Sequence, residues 1–432
     1  METKSWWKKL KNNPLARAGA IMLIIFYVIV IFADFFAPYS PIEQQPNGSL
    51  MPPTRIYWND QESGQFLGPH VYPTIQGAID LDSGAQELSV DFARPAPLRL
   101  FVKGYQYNLF QLSIPYFTGI SLEDGIQMAE WEVVKGIPLS WHLFGTVGDA
   151  APEQSTPPAA TTTENAPADS DATNSDILAP VEDPTGEASA EGGALAPAAY
   201  INLLGTDNAA RDVLSRLIYG GRISLSIGLV GIAISFPLGL LIGGISGYFG
   251  GIVDSVLMRV VEVIMSVPTF YLLVALSTIL PPELGNSERF LLIILITSFI
   301  GWAGLARVIR GEVLSLKERT YVQASQSMGG RSLHIITRHI LPQTATYVII
   351  AATLSIPSYI VAEAVLSLVN LGISEPDPSW GNMLSASTNA SILILNPWLI
   401  WPPAILIVIT VLSFNILGDG LRDALDPRSL QE

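Results

Sequence analysis

The 432-residue sequence contains no cysteine, and only 14% of its residues are charged. Without cysteine the chain can form neither disulfide bonds nor thiolate-ligated metal sites. Its four histidines, His70, His142, His334 and His339, are scattered along the sequence, so we expect no metal site. The sequence also lacks a G-x-x-x-x-G-K-[ST] phosphate-binding loop. We therefore expect no catalytic residue, no bound cofactor and no ATP hydrolysis by this chain itself.

Long apolar runs take the place of charge, since 49% of the residues are hydrophobic and the mean hydropathy is +0.39. A bilayer core about 30 Å thick requires about 20 helical residues, and backbone exposed to lipid must be fully hydrogen-bonded. Six runs have spanning length, which predicts an all-α polytopic membrane protein with six transmembrane helices. The runs are Ala18–Ala33, Ile223–Val253, Val263–Pro282, Phe290–Ala306, Ile340–Ala362 and Ser379–Leu417, the last with its helix starting near Pro397.

The distribution of basic residues predicts the orientation, because short cytoplasmic loops are rich in Lys and Arg. Fourteen of the 23 basic residues share one side if both termini are cytoplasmic. Only Arg211, Arg216 and Arg222 argue against this topology, and we interpret them as an amphipathic stretch at the outer interface. The basic start resembles a signal peptide, but no clear cleavage site follows the long apolar stretch, which favours an uncleaved helix.

Composition divides the chain into five parts. They are a cytoplasmic tail (1–16), a first transmembrane helix (17–37), an extracytoplasmic β-rich insertion (38–148), an acidic Pro, Ala and Thr-rich segment (149–199) and a membrane core (200–432). Aromatic and β-branched residues between turn residues predict strands in the insertion. The acidic segment has no aromatic residue before its end and is predicted to be disordered.

The insertion and the acidic segment that follows it together contain most of the acidic residues of the chain. Between Pro38 and Tyr200 there are 21 acidic and 5 basic residues, whereas the net charge of the whole chain is −15. The membrane core is therefore nearly neutral. We interpret the acidity as a solvated surface in preference to a guide for cationic solutes.

A loop at about 312–342 is predicted to be cytoplasmic and to contain a short helix at a bend. Val322–Met328 has the length of two helical turns, and the two glycines that follow would end them. Ser332 could cap a second helix that runs to His339. Pro342 suits the first turn of the fifth spanning helix, where its missing N–H costs nothing.

The small side chains of Ala324 and Ser325 would let another protein approach this bend closely. A basic hairpin resting on anionic lipid fits the residue pattern at least as well. From the residues alone, both interpretations of the loop stay open.

Position-specific matches favour the interpretation of the loop as a site that another protein approaches closely. Gln323, Ala324, Ser325 and Gly329, followed after nine residues by His339–Pro342, resemble the "EAA" loop of ABC importer permeases. Further stretches are most similar to the C-type permease subunit of dipeptide and oligopeptide importers. These are Leu204–Asp207, Arg211–Gly220, Arg222–Leu225, Arg310–Arg319, Ala362–Ala364, Pro378–Leu384 and Phe414–Arg428, with Phe101–Gly104 and His142–Gly145 in the insertion.

This resemblance implies a type I ABC importer permease fold in a bacterial plasma (inner) membrane. It implies a homologous B-type permease, two ABC ATPase subunits that bind ATP and Mg, and an extracytoplasmic solute-binding protein as partners, with membrane lipid around the chain and no nucleic acid. The transported solute would be a peptide, although dipeptide, oligopeptide, nickel or another solute cannot be separated from these residues.

The resemblance also assigns the loop as the coupling helix, which lies in a groove of the ATPase. Its residues here are Tyr321, Val322, Gln323, Ala324, Ser325, Met328, Gly329, Gly330, Arg331, His339 and Pro342. The sequence departs from the family pattern at Gln323, where Glu is usual, and at Ser325, where a second Ala is usual. Contact at Gln323 should therefore be steric more than ionic.

Two further features concern the membrane helices. Gly239, Gly243 and Gly247 recur every four residues, which predicts one helix face for close packing in preference to a part in the pathway. Glu363 lies deep in the fifth span, where a carboxylate must face protein or a water-filled cavity. We interpret it as a packing or gating hydrogen bond.

Two other classes of function remain. One is a secondary transporter driven by protons through Glu363, which would work without an ATPase. The other is a membrane-anchored sensor whose external domain binds a ligand, although six helices would be an excessive anchor.

Overall fold

The computed structural model describes residues 3–46, 48–79, 86–109, 112–121, 125–146, 199–278, 286–369 and 371–425. The predicted disordered segment 149–199 lies outside the described residues, apart from Ala199. Within the described ranges the chain is mostly helical. The helices are α1 (Thr3–Asn12), α2 (Pro14–Ile31), α3 (Ala33–Phe36), α4 (Val213–Phe249), α5 (Gly251–Ser266), α6 (Thr269–Thr278), α7 (Asn286–Leu316), α8 (Thr320–Ser327), α9 (Ser332–Ile335), α10 (Ala345–Leu368), α11 (Trp380–Ser385), α12 (Ala390–Leu395) and α13 (Trp401–Leu425).

Five helical segments in these ranges are long and apolar enough to cross a membrane. They are Pro14–Ile31, Val213–Phe249, Glu288–Leu316, Ser332–Leu368 and Pro397–Leu425. Each overlaps one of the predicted runs, and the last begins at the proline where its helix was expected. The chain is therefore a multi-pass protein whose long helices follow its apolar sequence.

The predicted third span, Val263–Pro282, is not a single helix in the structure. α5 ends at Ser266, α6 begins at Thr269, and residues 279–282 lie outside the described part of the chain. Pro268 explains the break, because proline lacks a backbone N–H and disfavours helical geometry at the residue before it. Val267 accordingly has φ −86° and ψ 127°. The prediction of one uninterrupted helix here is wrong.

Arg211 and Arg216, which the sequence interpretation places in an amphipathic stretch at the outer interface, are buried within the protein, where they are 5% and 2% exposed. Arg211 pairs with Asp207 at 2.8 Å, and Arg216 pairs with Glu375 at 3.0 Å. Because two carboxylates supply the counter-charge, the guanidinium groups can be buried. This cluster joins the start of α4 to the loop that follows α10.

Between α3 and α4 the described residues form eight strands. They are β1 (Tyr57–Asn59), β2 (Phe66–Val71), β3 (Thr74–Ile79), β4 (Gln86–Val90), β5 (Ala96–Leu109), β6 (Leu112–Ser121), β7 (Gly125–Val134) and β8 (Ile137–Thr146). β1, β2, β5 and β8 form one antiparallel sheet in that order, while β3 pairs with β4 and β6 with β7. The strands therefore form one small sheet and two hairpins.

Polar contacts join this β region to α3 and to the N-terminal part of α4. Tyr219 of α4 donates a hydrogen bond to Asp34 of α3 over 2.5 Å, and Tyr105 of β5 lies 2.6 Å from the Tyr219 hydroxyl. Since Tyr219 donates to the carboxylate, Tyr105 is the donor to Tyr219. The Nδ1 atom of His142 lies 2.9 Å from the Ala37 carbonyl oxygen. Strands and helices are thus linked through buried side chains.

Candidate functional site

The predicted coupling loop contains a short helix with one buried side chain, that of Val322. In α8, Val322 is fully buried and packs in an apolar cluster with Val313 of α7 and with Ile335 and Ile340. The neighbouring side chains of Gln323 and Ala324 are exposed. One face of α8 therefore contacts the ends of two long helical segments, and the opposite face is open to a partner.

Two glycines end α8 for different reasons. Gly329 has φ +80°, a conformation that glycine adopts without steric cost. Gly330 donates its backbone N–H to the Ser325 carbonyl oxygen over 3.0 Å, and a Cβ atom at this position would lie 2.8 Å from the same oxygen. The chain thus reverses tightly at the end of α8, and Met328 on the turn is 82% exposed.

The sequence predicts a second helix of the loop that runs to His339, separate from the fifth span. In the structure this helix does not end at His339. Ser332 is the first residue of α9 and does not cap it; Arg331 holds the capping position without a side-chain hydrogen bond. Helical geometry then continues without interruption from Ser332 to Leu368. The part of the loop from Ser332 onward and the fifth span are therefore one continuous helical rod.

This rod changes its helical type at Pro342. A π-helical turn at Ile336–Ile340 and a 3-10 turn at Leu341–Thr344 precede α10. A proline inside a regular α-helix clashes with the carbonyl four residues earlier, and a π-turn relieves that clash by widening the helix. His339 lies in the π-turn, with its ring 5.6 Å from the ring of His334.

The exposed side of the loop has an apolar character. Tyr321 is 43% exposed and Leu333 is 62% exposed, and both lie within a few residues of Met328. The sequence drew attention to Tyr321 and Met328 through the family pattern but missed Leu333. Its signal is an apolar residue between two polar ones in a loop outside the membrane, which is weak in a single sequence.

Behind the loop, an ion pair joins α5 to α7. Arg310 Nη2 donates to Asp254 Oδ2 over 2.6 Å, and Ser246 of α4 donates to Asp254 Oδ1 over 2.5 Å. Arg259 pairs with Glu262 at 3.1 Å, but both side chains are more than half exposed. Asp254 therefore links three helices where the chain enters the loop.

The three predicted packing glycines lie along α4 where it contacts α7. A Cβ atom at Gly239 would lie 3.0 Å from the Trp302 carbonyl oxygen, and one at Gly243 would lie 2.5 Å from the carbonyl of Ala306. At Gly247 the distance to the Arg310 carbonyl oxygen would be 2.8 Å. Side chains larger than hydrogen would therefore push the two helices apart.

Glu363 of α10 is fully buried and is bonded to hydroxyl groups. Ser367 donates to its Oε1 atom over 2.8 Å, and Ser224 of α4 donates to Oε2 over 3.3 Å. Ser224 also accepts the backbone N–H of Trp380 over 3.1 Å. This network joins α10, α4 and α11, and the packing or gating role of Glu363 stays a prediction.

A cavity of about 430 Å³ opens among α4, α5, α6, α7 and α10. Among the described residues its lining contains no charged side chain, and its polar side chains carry hydroxyls, namely Thr297, Tyr347, Ser355, Ser358 and Tyr359. Within the described residues, the hydroxyls of Tyr347 and Ser358 form no hydrogen bond to protein. The cavity can therefore offer neutral donors and acceptors to a solute.

Sequence reasoning did not predict this cavity. Gly301 and Gly304 of α7 line it, and a Cβ atom at Gly304 would meet nothing within 4 Å. The available signal of the cavity is a glycine that neither packs closely nor adopts a special backbone conformation. The open surroundings of such a glycine become visible only in the folded structure.

Comparison with known proteins identifies the family to which this chain belongs. Residues 237–431 match the model of the binding-protein-dependent transport system inner membrane component, and residues 3–53 match the N-terminal transmembrane domain of oligopeptide transport permease C. The dipeptide transport system permease protein DppC of Bacillus subtilis is 41% identical over 224 residues, which are 52% of this chain and 68% of that protein. The chain belongs to the family of binding-protein-dependent inner membrane permeases.

Other permeases show the same relationship. The oligopeptide transport system permease protein OppC of Haemophilus influenzae is 40% identical over 227 residues, covering 52% of this permease and 70% of its own length. Among solved structures, the inward-facing MetNI methionine ABC transporter covers 49% of the permease and 96% of its own chain at 20% identity, with a TM-score of 0.37. An amino acid ABC transporter gives 15% identity and a TM-score of 0.34.

Proposed function

We propose that this permease is the C-type transmembrane subunit of an ATP-binding-cassette importer for dipeptides or oligopeptides. The observation that carries the proposal is the 41% identity to a dipeptide permease across 68% of that protein. In this role it would adopt the type I permease fold and form the translocation pathway with a homologous B-type permease. An extracytoplasmic solute-binding protein would deliver the peptide.

ATP and Mg would bind to two partner ATPase subunits, and α8 would receive their motion. A lever of this kind must join the loop to a spanning helix without a break, and the continuous rod Ser332–Leu368 meets that requirement. Val322 connects α8 to the rod through Ile335 and Ile340 and to α7 through Val313. Movement of α8 would therefore reach both long helices at once.

The neutral cavity among α4, α7 and α10 would then be this subunit's share of the pathway. Peptides present backbone amides and carbonyls whatever their side chains are. Hydroxyl groups such as those of Ser358 and Tyr347 can bond to either, whereas a charged lining would select among side chains. An uncharged lining therefore suits a permease that accepts many peptides.

The proposed topology places both termini in the cytoplasm and the β region outside. The α5 and α6 region would complete the sixth crossing despite its break at Pro268. Asp254 and Arg310, which pair next to the coupling loop, would then lie on the cytoplasmic side.

A proton-driven transporter that uses Glu363 receives less support. The relatives named above are binding-protein-dependent permeases, and the partners of Glu363 are serine hydroxyls at 2.8 and 3.3 Å. In the described part of the chain no basic residue pairs with it. A structural role therefore explains its surroundings better.

Reconstitution tests the proposal. The permease would be placed in liposomes with its B-type partner, the ATPases and the cognate binding protein, and uptake of a labelled peptide would be measured with ATP or with a proton gradient alone. Uptake that requires ATP and the binding protein is expected. Uptake with the proton gradient and without ATP would refute the proposal and favour the secondary transporter.

A further inference from the structure

A second cavity, of about 510 Å³, lies far along the chain from the coupling loop, in the β region. Its lining comes from Gln45, Pro46 and Gly48, from the extended segment Met51–Tyr57, from residues 72–74 at the start of β3, from Leu88 and Val90 of β4, and from Tyr200 and Asn202. Most of these residues lie outside the two family-model matches, 3–53 and 237–431. The cavity is therefore a feature of the insertion and lies apart from the transport site described above.

The walls of this cavity are fixed in advance by hydrogen bonds. The side-chain amides of Gln45 and Asn202 bond to each other in both directions, at 2.9 and 2.7 Å, and both residues are 5% exposed. Thr54 bonds to the backbone of Asn202 through its hydroxyl and to the Asn202 carbonyl through its N–H, at 2.9 and 2.8 Å. A preformed pocket loses little entropy when a ligand binds.

The chemistry of the lining is unusual for this part of the chain. Among the described residues of the lining, four are prolines and three are tyrosines, and Arg55 is the one charged residue, with no carboxylate among them. The insertion and the acidic segment together have 21 acidic and 5 basic residues between Pro38 and Tyr200. Arg55 is exposed and forms no ion pair or hydrogen bond within the described residues. The cavity therefore offers a positive charge, on an apolar floor, to an anionic group.

Strand edges border the same cavity. β1, which contributes Tyr57, is the end strand of its sheet, and β4, which contributes Leu88 and Val90, pairs only with β3 among the described strands. Each strand has one edge without a strand partner in that part of the chain. An extended peptide can bond to such an edge through its backbone, while its side chains contact neighbouring pockets.

We propose that this cavity binds the C-terminal end of an extended peptide, with the terminal carboxylate against Arg55. The carboxylate would accept hydrogen bonds from the guanidinium group, which favours planar bidentate anions. The tyrosine and proline surface would contact the last side chains. The choice of a peptide rests on the proposed function, but the binding itself requires neither ATP nor a partner subunit.

The test uses the purified full-length permease in detergent, without binding protein or nucleotide. A dye-labelled tetra-alanine peptide with a free C-terminal carboxylate is compared with its C-terminal amide by fluorescence anisotropy. We expect the free acid to bind about tenfold more tightly, the scale of a charge-assisted hydrogen bond. Arg55→Gln should abolish that preference, Arg55→Lys should retain part of it, and the exposed Lys135→Gln, outside the lining, should leave it unchanged.

Three outcomes would overturn the proposal. They are equal affinity for acid and amide, a preference that survives in Arg55→Gln, and binding that appears only after residues 151–196 are deleted, which would show that the chain's own acidic segment fills the cavity. ATP-driven uptake with the binding protein is measured in parallel on Arg55→Gln. Normal uptake together with lost peptide preference would separate this site from the proposed function, and failure of uptake in the wild type would refute only the latter.

Discussion

Arg310 of α7 and Asp254 of α5 form an ion pair whose Nη2–Oδ2 distance is 2.6 Å, immediately before the chain enters the coupling loop. The Asp254 side chain is 16% exposed and that of Arg310 is 33% exposed. The hydrogen bond from Arg310 lowers the pKa of Asp254 below its ordinary value. The pair thus stabilises the packing of α5 on α7 as long as the carboxylate is ionised.

Asp254→Asn is expected to lower the free energy of unfolding by about 1–2 kcal/mol, because it removes charge-assisted hydrogen bonds that are partly shielded from water. The matched control on the same helix is Glu262→Gln, whose pair with Arg259 is 78% and 53% exposed and should contribute at most about 0.5 kcal/mol. Thermal unfolding of the purified permease would measure both.

The pH dependence of this effect has a defined sign. The folded-state pKa of Asp254 is lower than its unfolded value of about 4, so its contribution is present above pH ~4 and is lost as the pH falls through the folded pKa. The difference between wild type and Asp254→Asn should therefore shrink in acid. A difference that stays constant from pH 7 down to pH 3 would contradict this account.

Changes in α8 should separate docking from stability. Ala324 is exposed, so Ala324→Asp should leave the fold intact and uncouple ATP turnover from uptake, whereas Ala324→Ser should be tolerated. Gly329→Trp should also uncouple, because the positive φ of Gly329 strains any other residue. Peptide-stimulated ATP hydrolysis in the reconstituted complex is the measurement, and unchanged stimulation in Ala324→Asp would refute the coupling assignment.

Substitution of Val322, unlike that of Ala324, should lower stability as well as coupling. Its side chain is fully buried, and Val322→Ala removes two methyl groups from the cluster that joins α8 to both long helices. We expect a loss of roughly 1–2 kcal/mol in stability together with weaker coupling. Weaker coupling without any loss of stability would show that Val322 contacts the partner instead of the core.

Some of this architecture follows from the sequence and some does not. The long helices could be predicted because lipid imposes length and apolarity on every span, and the spacing of Gly239, Gly243 and Gly247 indicated a helix face that the structure places against α7. Pro268 was visible too, but hydropathy averages over a single break. The partner of Arg216 could not be predicted, since Glu375 lies 159 residues away and only the fold brings them together.

The proposed place of the neutral cavity in the pathway can be tested with two glycines of α7, of which only one lines the cavity. Gly304 and Gly311 of α7 both face open space, but only Gly304 lines the cavity. Gly304→Leu should therefore obstruct the pathway and abolish peptide uptake while basal ATP hydrolysis persists. Gly311→Leu should leave uptake near the wild-type level. Equal uptake by the two variants would remove the cavity from the pathway.

Asp212, at the N-terminal end of α4, predicts a pH effect of the opposite sign. It caps the helix, with its Oδ2 atom accepting the Ser215 N–H over 2.7 Å and the Ser215 hydroxyl over 2.6 Å. The residue is 1% exposed, its Oδ1 atom has no hydrogen bond among the described residues, and burial raises its pKa to about 7.

Because the folded state holds this proton more tightly than the unfolded chain, the free energy of unfolding should fall as the pH rises from about 4 to 7. Asp212→Asn keeps an oxygen to accept from Ser215 but cannot ionise, so its stability should not decline over this range. The midpoint of thermal unfolding at pH 5 and pH 8 would measure the effect. A larger decline in Asp212→Asn than in the wild type would show that Asp212 is ionised in the folded protein and is stabilised there by the N-terminus of α4.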